Sequence, residues 1–468
     1  MSMNQIEHLV VVMLENRSLD NLLGWLYDTE LGQVPANVLP PGSPPAFDGL
    51  LRGMSIPAKV GDPNSKLVLV GYGAPNTITP TTDPQEHFDH MTAQIFGPQA
   101  PSWHPTWPMK GFVQDYATTS TDDASQIMAC YTPEQLPILS ALARNYAVSD
   151  AWFASAPCQT WPNRSFVHAG TSNGHVNNGL IPDPLHWDVP TIFGALDPGD
   201  WCVYSDALVA PSLTRTMFPS LWTGDYDANF SRFSDFEAAC ANATLPKYSF
   251  LEPSFLVDPN DQHPPHDVDA GEAFLYRIWQ AVTNPAVWSK TMLVITYDEH
   301  GGTFDHVFPA TPATAPDAVS AKAPEGFAFD RFGVRVPCVV VSPWIDAGTV
   351  FRSPTDTPYD HTSILATLRD WLGIPETKMI SSARVVKAPT LAQLVTRAAA
   401  RTDIPDIPAP ADSHLQPSLG EPLNDLQMSL VSGAARRFQG NPAQTLAATP
   451  TRRHAAEYFA QKLPRMGG

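Results

Sequence analysis

Six short apolar runs, each stopping abruptly at a polar or acidic residue, constrain this chain more than any other feature. The run 6–14 ends at Glu15-Asn16, 146–148 at Ser149-Asp150, 201–204 at Ser205-Asp206, 248–251 at Glu252, 292–297 at Asp298-Glu299 and 336–341 at Ser342. They are rich in Val, Ile and aromatic residues and apolar along their length, as strands covered on both faces of a parallel sheet must be. Helical spacing lies between them, over 133–145, 269–283 and 361–372. The alternation predicts an α/β fold: a doubly wound, mainly parallel sheet with helices on both faces. Ligands bind such sheets beyond the carboxyl ends of the strands, so the acidic endings are where chemistry is expected.

With 468 residues, the chain is long enough for two or three typical domains or for one large α/β sheet. Its 48 prolines predict long ordered loops, notably 33–48, 97–108 and 309–324. We expect a catalytic domain over residues 1–400, a Pro-rich linker over 401–422, and a helical C-terminal extension over 423–468. In that extension Leu423, Leu426, Leu430 and Val431 fall at helical spacing and 454–463 is helix-compatible, which predicts helices packed on the main body.

The net charge of -19 and pI near 5.0 argue against nucleic acid as a partner and against docking on anionic lipid by charge alone. An acidic protein that takes an anionic ligand must neutralise the binding site locally, most directly with a bound cation. The five cysteines are odd in number and scattered, which excludes a complete disulfide framework and makes zinc-thiolate chemistry a poor fit. The apolar run 9–14 is too short to span a membrane, and it lacks the basic flank and cleavage site of a signal peptide. The expected location is the cytoplasm if the chain is the full gene product, and the exterior or periplasm if a leader has been removed.

Four segments carry chemistry-bearing residues. Glu15-Asn16 offers hard oxygen ligands just past a strand, although Asn16 equally fits a cap for a helix over 18–25. Residues 297–306 hold Asp298, Glu299, His300, Gly301-Gly302, Asp305 and His306. Three carboxylates that close repel one another unless a cation or a paired base compensates. In 261–269, His263 and His266 bracket Pro264-Pro265, which stiffens the loop; the alternative role is to cap the helix that follows. In 158–164, Thr160 lies just before Pro162, a residue suited to a first helical turn. Its hydroxyl would sit at the positive end of a helix, either as a nucleophile or as a simple cap. Cys158 is the rival nucleophile, but it lacks the Gly- and Arg-rich anion loop of phosphate-attacking cysteines.

Eight segments in order, IEHLVVVMLENRSLDNLLGWL, DPQEHFDHMTAQIFG, QTWPNRSFVHAGT, YSFLEP, DQHPPHDVDAGE, TYDEHGGTFDHV, RVPCVVVSPW and YDHTSIL, resemble the bacterial phospholipase C/acid phosphatase family. This phosphoesterase family belongs to the alkaline phosphatase superfamily. The resemblance implies an alkaline phosphatase-like fold and a phosphoric ester hydrolase. It places Glu15, Asn16, Asp298 and Glu299, with Thr160, at the metal site. Thr160 falls at the nucleophile, where relatives carry Ser or Thr, so a phospho-threonine intermediate is implied. His263 and His306 fall at positions lining the phosphate pocket; Asn16 and His300 are expected to contact substrate. Glu86 departs from the pattern, since many relatives have His there, and is assigned to substrate binding or acid/base work. Asp360-His361 matches a further motif.

The oxygen-rich donor set favours Ca²⁺, Mg²⁺ or Mn²⁺, with Zn²⁺ or Fe open through the histidines. The expected substrate is a phosphodiester, either a phospholipid or a small phosphoester. The alternatives are an acid phosphatase acting on monoesters and a non-catalytic phospho-ligand binder. Oligomeric state is not legible.

Overall fold

The computed structural model describes residues 3–44, 46–120, 123–179, 187–323, 326–410 and 418–463. Residue 45 of the first expected loop, Pro324 of the third, residues 411–417 of the expected linker and 464–468 of the extension lie outside the described residues. A sheet of nine strands forms the centre. In chain order these are β1 (His8–Leu14), β2 (Asn37–Leu39), β3 (Ala147–Ser149), β4 (Trp201–Ser205), β5 (Phe230–Arg232), β6 (Tyr248–Glu252), β7 (Thr291–Tyr297), β8 (Cys338–Val341) and β9 (Thr349–Phe351). Across the sheet they run β5-β4-β6-β1-β7-β8-β3-β9-β2. Only β8 is antiparallel to its neighbours; every other pairing is parallel. The expected α/β, mainly parallel sheet is therefore what the chain forms, and all six apolar runs lie in it.

Both faces of the sheet are buried, as the unbroken apolar runs require: β1 and β7 are buried almost end to end. Helix α1 (Phe88–Phe96) packs in a separate apolar cluster, and the covering helices include α2 (Pro137–Asn145), α3 (Thr160–Ala169), α4 (Val268–Val282) and α5 (Thr362–Leu372). The C-terminal extension forms α6 (Asp425–Arg437), α7 (Pro442–Ala448) and α8 (Arg452–Lys462). Leu426, Leu430 and Val431 of α6 and Ala455 and Phe459 of α8 join the main hydrophobic core. Among the described residues no helix is long and apolar enough to cross a membrane.

Two corrections concern local structure. The stretch 33–48 is not wholly loop, because β2 adds to the sheet edge there. In 309–323 a single short turn of 3-10 helix, Ser320–Lys322, interrupts the loop.

Candidate active site

The central ladder fixes the heart of the site. β1 and β7 pair in parallel with Leu14 opposite Tyr297, so Glu15 and Asp298 leave the sheet at the same level. The Asp298 N–H still donates to the Leu14 carbonyl at 3.2 Å. Asn16 then turns with φ +53°, a left-handed conformation that Asn tolerates better than most residues. Its N–H donates to Asp298 Oδ1 at 2.9 Å, which binds the two strand endings together. Gly301 follows Glu299 at φ +57°, and a Cβ there would lie 2.1 Å from the Asn16 carbonyl oxygen, so the turn admits only glycine.

Thr160 opens α3, with Gln159 as its N-cap. The Thr160 hydroxyl is fully buried and lies 3.1 Å from Glu15 Oε2 and 3.3 Å from Asn16 Oδ1; it also hydrogen-bonds Asp298. One turn along the same helix, Arg164 reaches Glu15: its Nε donates to Oε1 at 2.7 Å, and Nη2 donates to the same oxygen. Nη2 also donates to the Met13 carbonyl at 2.9 Å. Arg164 thus takes one Glu15 oxygen and leaves the other facing Thr160. The spacing of Arg164 from Thr160, four residues on one helix face, was the sequence signal for this positioning residue.

A second layer of acids closes over Asn16. The Asn16 amide donates to Glu86 Oε2, and Glu86 shares a hydrogen bond with Glu299. Two carboxyl groups bond in this way only through a proton. Burial, reinforced by neighbouring Asp83, pushes Glu86 well above the usual carboxylate range, and burial with Glu86 beside it does the same to Glu299. Burial also raises Glu15 and Asp298, against the pull of Arg164. His263 stands beyond Glu86, with Nε2 at 3.8 Å from Glu86 Oε2. Its Nδ1–H donates to the Pro264 carbonyl at 2.7 Å, so Nε2 carries the lone pair, and burial lowers its pKa to about 4. The ring is neutral near pH 7 and presents an acceptor.

The other expected residues fall around this set. His300, lowered to about 3 by burial, binds Gln94 Oε1 at 2.8 Å through Nε2 and lies 3.5 Å from Glu299 through Nδ1. His361 donates through Nε2 to the Asp298 carbonyl at 2.6 Å and so positions that strand ending, while Asp360 is held by Thr362 and Arg384. His266 is tied to Asp261 Oδ1 at 2.6 Å, and Asp267 caps α4. The remaining acidic strand endings are structural. Glu252 accepts the N–H groups of Leu213 and Thr214, Asp206 pairs with Arg277 at 3.1 Å, and Asp150 pairs with Arg352 at 2.7 Å.

His306 is not brought to this set. Its Nδ1 is 2.6 Å from Asp20 Oδ2 and its Nε2 is 3.3 Å from Asp48 Oδ1, within a cluster organised by buried Arg335 with Asp20 and Asp305. The turn at Gly301-Gly302 separates the two halves of the acidic segment: Asp298 bonds Thr160 and Glu299 bonds Glu86, whereas Asp305 finds its compensating base in Arg335. Despite burial, the bonds to Asp20 and Asp48 raise the pKa of His306 to about 10. Folding therefore takes up a proton here between pH ~6.5 and the raised value. The stabilisation is complete below pH ~6.5 and is lost as pH rises through about 10. His306→Ala should lower stability by about 1.5–3 kcal/mol near pH 6 and flatten the alkaline fall in melting temperature, with turnover of the folded fraction within a few-fold. Thermal unfolding across pH 6–10 checks this; a large loss of turnover without loss of stability would return His306 to the site.

The donor set fits a divalent cation. Asp298 Oδ2 and Glu299 Oε1 are buried without a hydrogen-bond partner, as are Asp83 Oδ1 and His263 Nε2. Orphaned carboxylate oxygens of this kind are costly unless a cation satisfies them. Among the described residues, two groups of three acidic or histidine side chains converge within 4.8 Å: Asp83, Glu86 and His263, and Asp20, Asp305 and His306. The second already holds Arg335, which occupies the place of a cation; Glu15, Asp298 and Glu299 are not such a group by themselves and need the oxygens of Asn16 and Thr160 to complete a donor set.

The chain is similar to known proteins over most of its length. The chain is 36% identical to non-specific phospholipase C1 of Arabidopsis thaliana over 375 residues, 78% of this chain and 66% of that protein. It is 32% identical to non-specific phospholipase C3 of the same plant over 93% of this chain and 83% of that protein. It is 29% identical to phospholipase C B of Mycobacterium tuberculosis over 80% of this chain and 74% of that protein. A solved protein of the alkaline phosphatase superfamily from Vibrio parahaemolyticus aligns over 54% of this chain and 64% of that one, at 12% identity and a TM-score of 0.30, a likeness too slight to carry an argument. The model of the phosphoesterase family matches residues 6–375, and the chain belongs to that family of phosphoric ester hydrolases.

Proposed function

We propose that the chain is a metal-dependent phosphodiesterase of the phospholipase C type that works through a phospho-threonine intermediate. The observation that carries this is the buried Thr160 hydroxyl at the start of α3, hydrogen-bonded to Glu15 and Asn16 beside the unpartnered oxygens of Asp298 and Glu299. Glu15 Oε2 accepts the hydroxyl hydrogen and is placed to take that proton as Thr160 Oγ1 attacks phosphorus. The P–O bond to the leaving alcohol breaks, and Glu86, pushed by burial towards its protonated form, is placed to give that alcohol a proton. His263 Nε2, neutral and unpartnered, is an acceptor for the proton of the water that then releases the phosphoryl group and restores Thr160. Asn16 and the N-terminal end of α3 face the growing negative charge.

Glu15, Asn16, Asp298 and Glu299, with Thr160 beside them, would hold the cation, of the Ca²⁺, Mg²⁺ or Mn²⁺ class by donor chemistry. When bound it would add positive charge for the phosphoryl oxygens and favour ionisation of the hydroxyl. The names of the plant and mycobacterial relatives favour a phosphodiester, including phospholipid, over a monoester. The test is to quench a reaction in progress and map the adduct. A phosphorylated peptide containing Thr160 is expected, carrying the substituent of a diester substrate. Turnover of diesters and monoesters with no adduct under rapid quench would overturn the covalent route.

A further inference from the structure

A cavity of about 450 Å³ opens at the carboxyl ends of β4 and β5, where Ser205 and Arg232 close their strands. It lies on the side of β6 away from β1, and none of the residues placed at the candidate active site lines it. Three arginines line it, Arg215, Arg232 and Arg437, against a single carboxylate, Asp227. Such a surplus of positive charge in one hollow stands out in a chain of net charge -19. Arg215 is buried and fixed in place. Its Nε donates to the Leu221 carbonyl at 3.0 Å, and Nη2 donates to the Thr223 carbonyl at 3.1 Å and to Asp227. Its guanidinium carbon stands 4.9 Å from the centre of the Phe230 ring. Arg437 ends α6, with its guanidinium carbon 5.6 Å from the centre of the Phe438 ring.

Asp227 is already bonded to Arg215, and Arg437 forms no ion pair among the described residues. Burial and the Arg215 charge lower the Arg437 pKa to about 10, which leaves it charged near neutral pH. The helix dipole favours a cation in the last turn of α6, where Arg436 and Arg437 both stand. That explains an arginine at the helix end. It does not explain placing it beside a second arginine, which costs free energy unless an anion sits between them. A surplus of two positive charges, three arginines against one aspartate, matches a dianion. A phosphate monoester is close to a dianion at pH 7 and a carboxylate is not; guanidinium forks also fit phosphate oxygens. The cavity is far larger than a free phosphate ion needs, and the rest of its wall is largely apolar, with Ala210, Pro211, Phe230 and Phe438. We propose that this cavity binds an organic phosphate monoester, with Arg215, Arg232 and Arg437 around the phosphate and the Phe230 and Phe438 rings against its carbon part.

The probe is benzylphosphonate, which has the charge and shape of such a monoester but a P–C bond that ester hydrolysis does not cut. Inorganic phosphate and phenylacetate serve as the dianion without a ring and the ring with one charge. Binding is measured by titration calorimetry on the metal-loaded wild-type protein, Arg437→Gln and Arg232→Gln. The cavity's share of binding is the part that Arg437→Gln weakens, since the candidate active site is the same in both proteins. Arg437→Gln should weaken that part about tenfold or more, the loss expected for a hydrogen bond between charged groups. Its melting temperature without ligand should be no lower than that of the wild type, because a repulsion is removed. Arg232 is exposed at the mouth, and Arg232→Gln should weaken the same part several-fold. High salt should weaken it as well. No binding of benzylphosphonate by the wild type, or binding that neither variant changes, would overturn the proposal. So would an Arg437-dependent component that takes inorganic phosphate or phenylacetate as tightly. If Arg437→Gln does lower the melting temperature, the Arg232→Gln titration decides by the same criteria.

Discussion

Thr160→Val is expected to give a folded protein with turnover reduced on the order of ten-thousandfold or more, the loss typical of removing a nucleophile. Valine keeps the shape of threonine and removes only the hydroxyl. The site tolerates that structurally because Glu15 retains its bonds to Arg164. One buried carboxylate oxygen loses a donor, which costs about 1–3 kcal/mol of stability. Thr160→Ser should keep a measurable fraction of the rate, since the hydroxyl remains while the methyl that fixes its rotamer is lost. The paired measurement is turnover and thermal unfolding of both variants. A valine variant within tenfold of wild type, with the same unfolding temperature, would remove Thr160 from the chemistry.

Removing metal should have the next largest effect. Excess chelator is expected to lower turnover about a thousandfold, with recovery when Ca²⁺, Mg²⁺ or Mn²⁺ is returned. The reason is physical: Glu15, Asp298 and Glu299 are buried together with only Arg164 to offset them, and two of their oxygens have no partner. Without a cation, burial raises their pKa values. A cation binds the ionised carboxylates, so metal affinity should rise with pH. Binding to the native state alone should raise the melting temperature in proportion to the logarithm of metal concentration. Asp298→Asn should weaken both responses. Full activity of a protein shown by elemental analysis to be metal-free would defeat this expectation.

The sheet was readable because its interior strands are apolar on both faces, and six such runs stand out against polar loops. Three short strands were not readable for the opposite reason. Asn37–Leu39 and Phe230–Arg232 are three-residue segments with partly exposed side chains, and Thr349–Phe351 is buried but too short to show a period. At the candidate site, places after strands and at a helix start single out Glu15, Asn16, Asp298, Glu299 and Thr160, the resemblance implies their roles, and hydrogen bonds join Thr160 to Glu15 and Asn16 and Asn16 to Asp298. The resemblance implies His306 as well, but the Gly301-Gly302 turn sends the residues after it to the Arg335 cluster, where His306 pairs with Asp20 and Asp48. Arg164 was overlooked although its spacing from Thr160 was visible. The links from Asp83 to His263 and from His361 to Asp298 were beyond reach, because they depend on which loops the sheet order places side by side.

The pairing of β1 with β7, Leu14 opposite Tyr297, sets the gap between Glu15 and Asp298 by backbone hydrogen bonds rather than by side-chain packing. Parallel strands have discrete registers, and a slip of one residue would turn the side chains that follow to the opposite face. The separation of these two carboxylates is therefore a stepped quantity, with no gradual path to a wider or narrower opening. Any change in what this site admits has to come through the loops that arrive over the fixed pair, while the pair itself acts as a measuring standard.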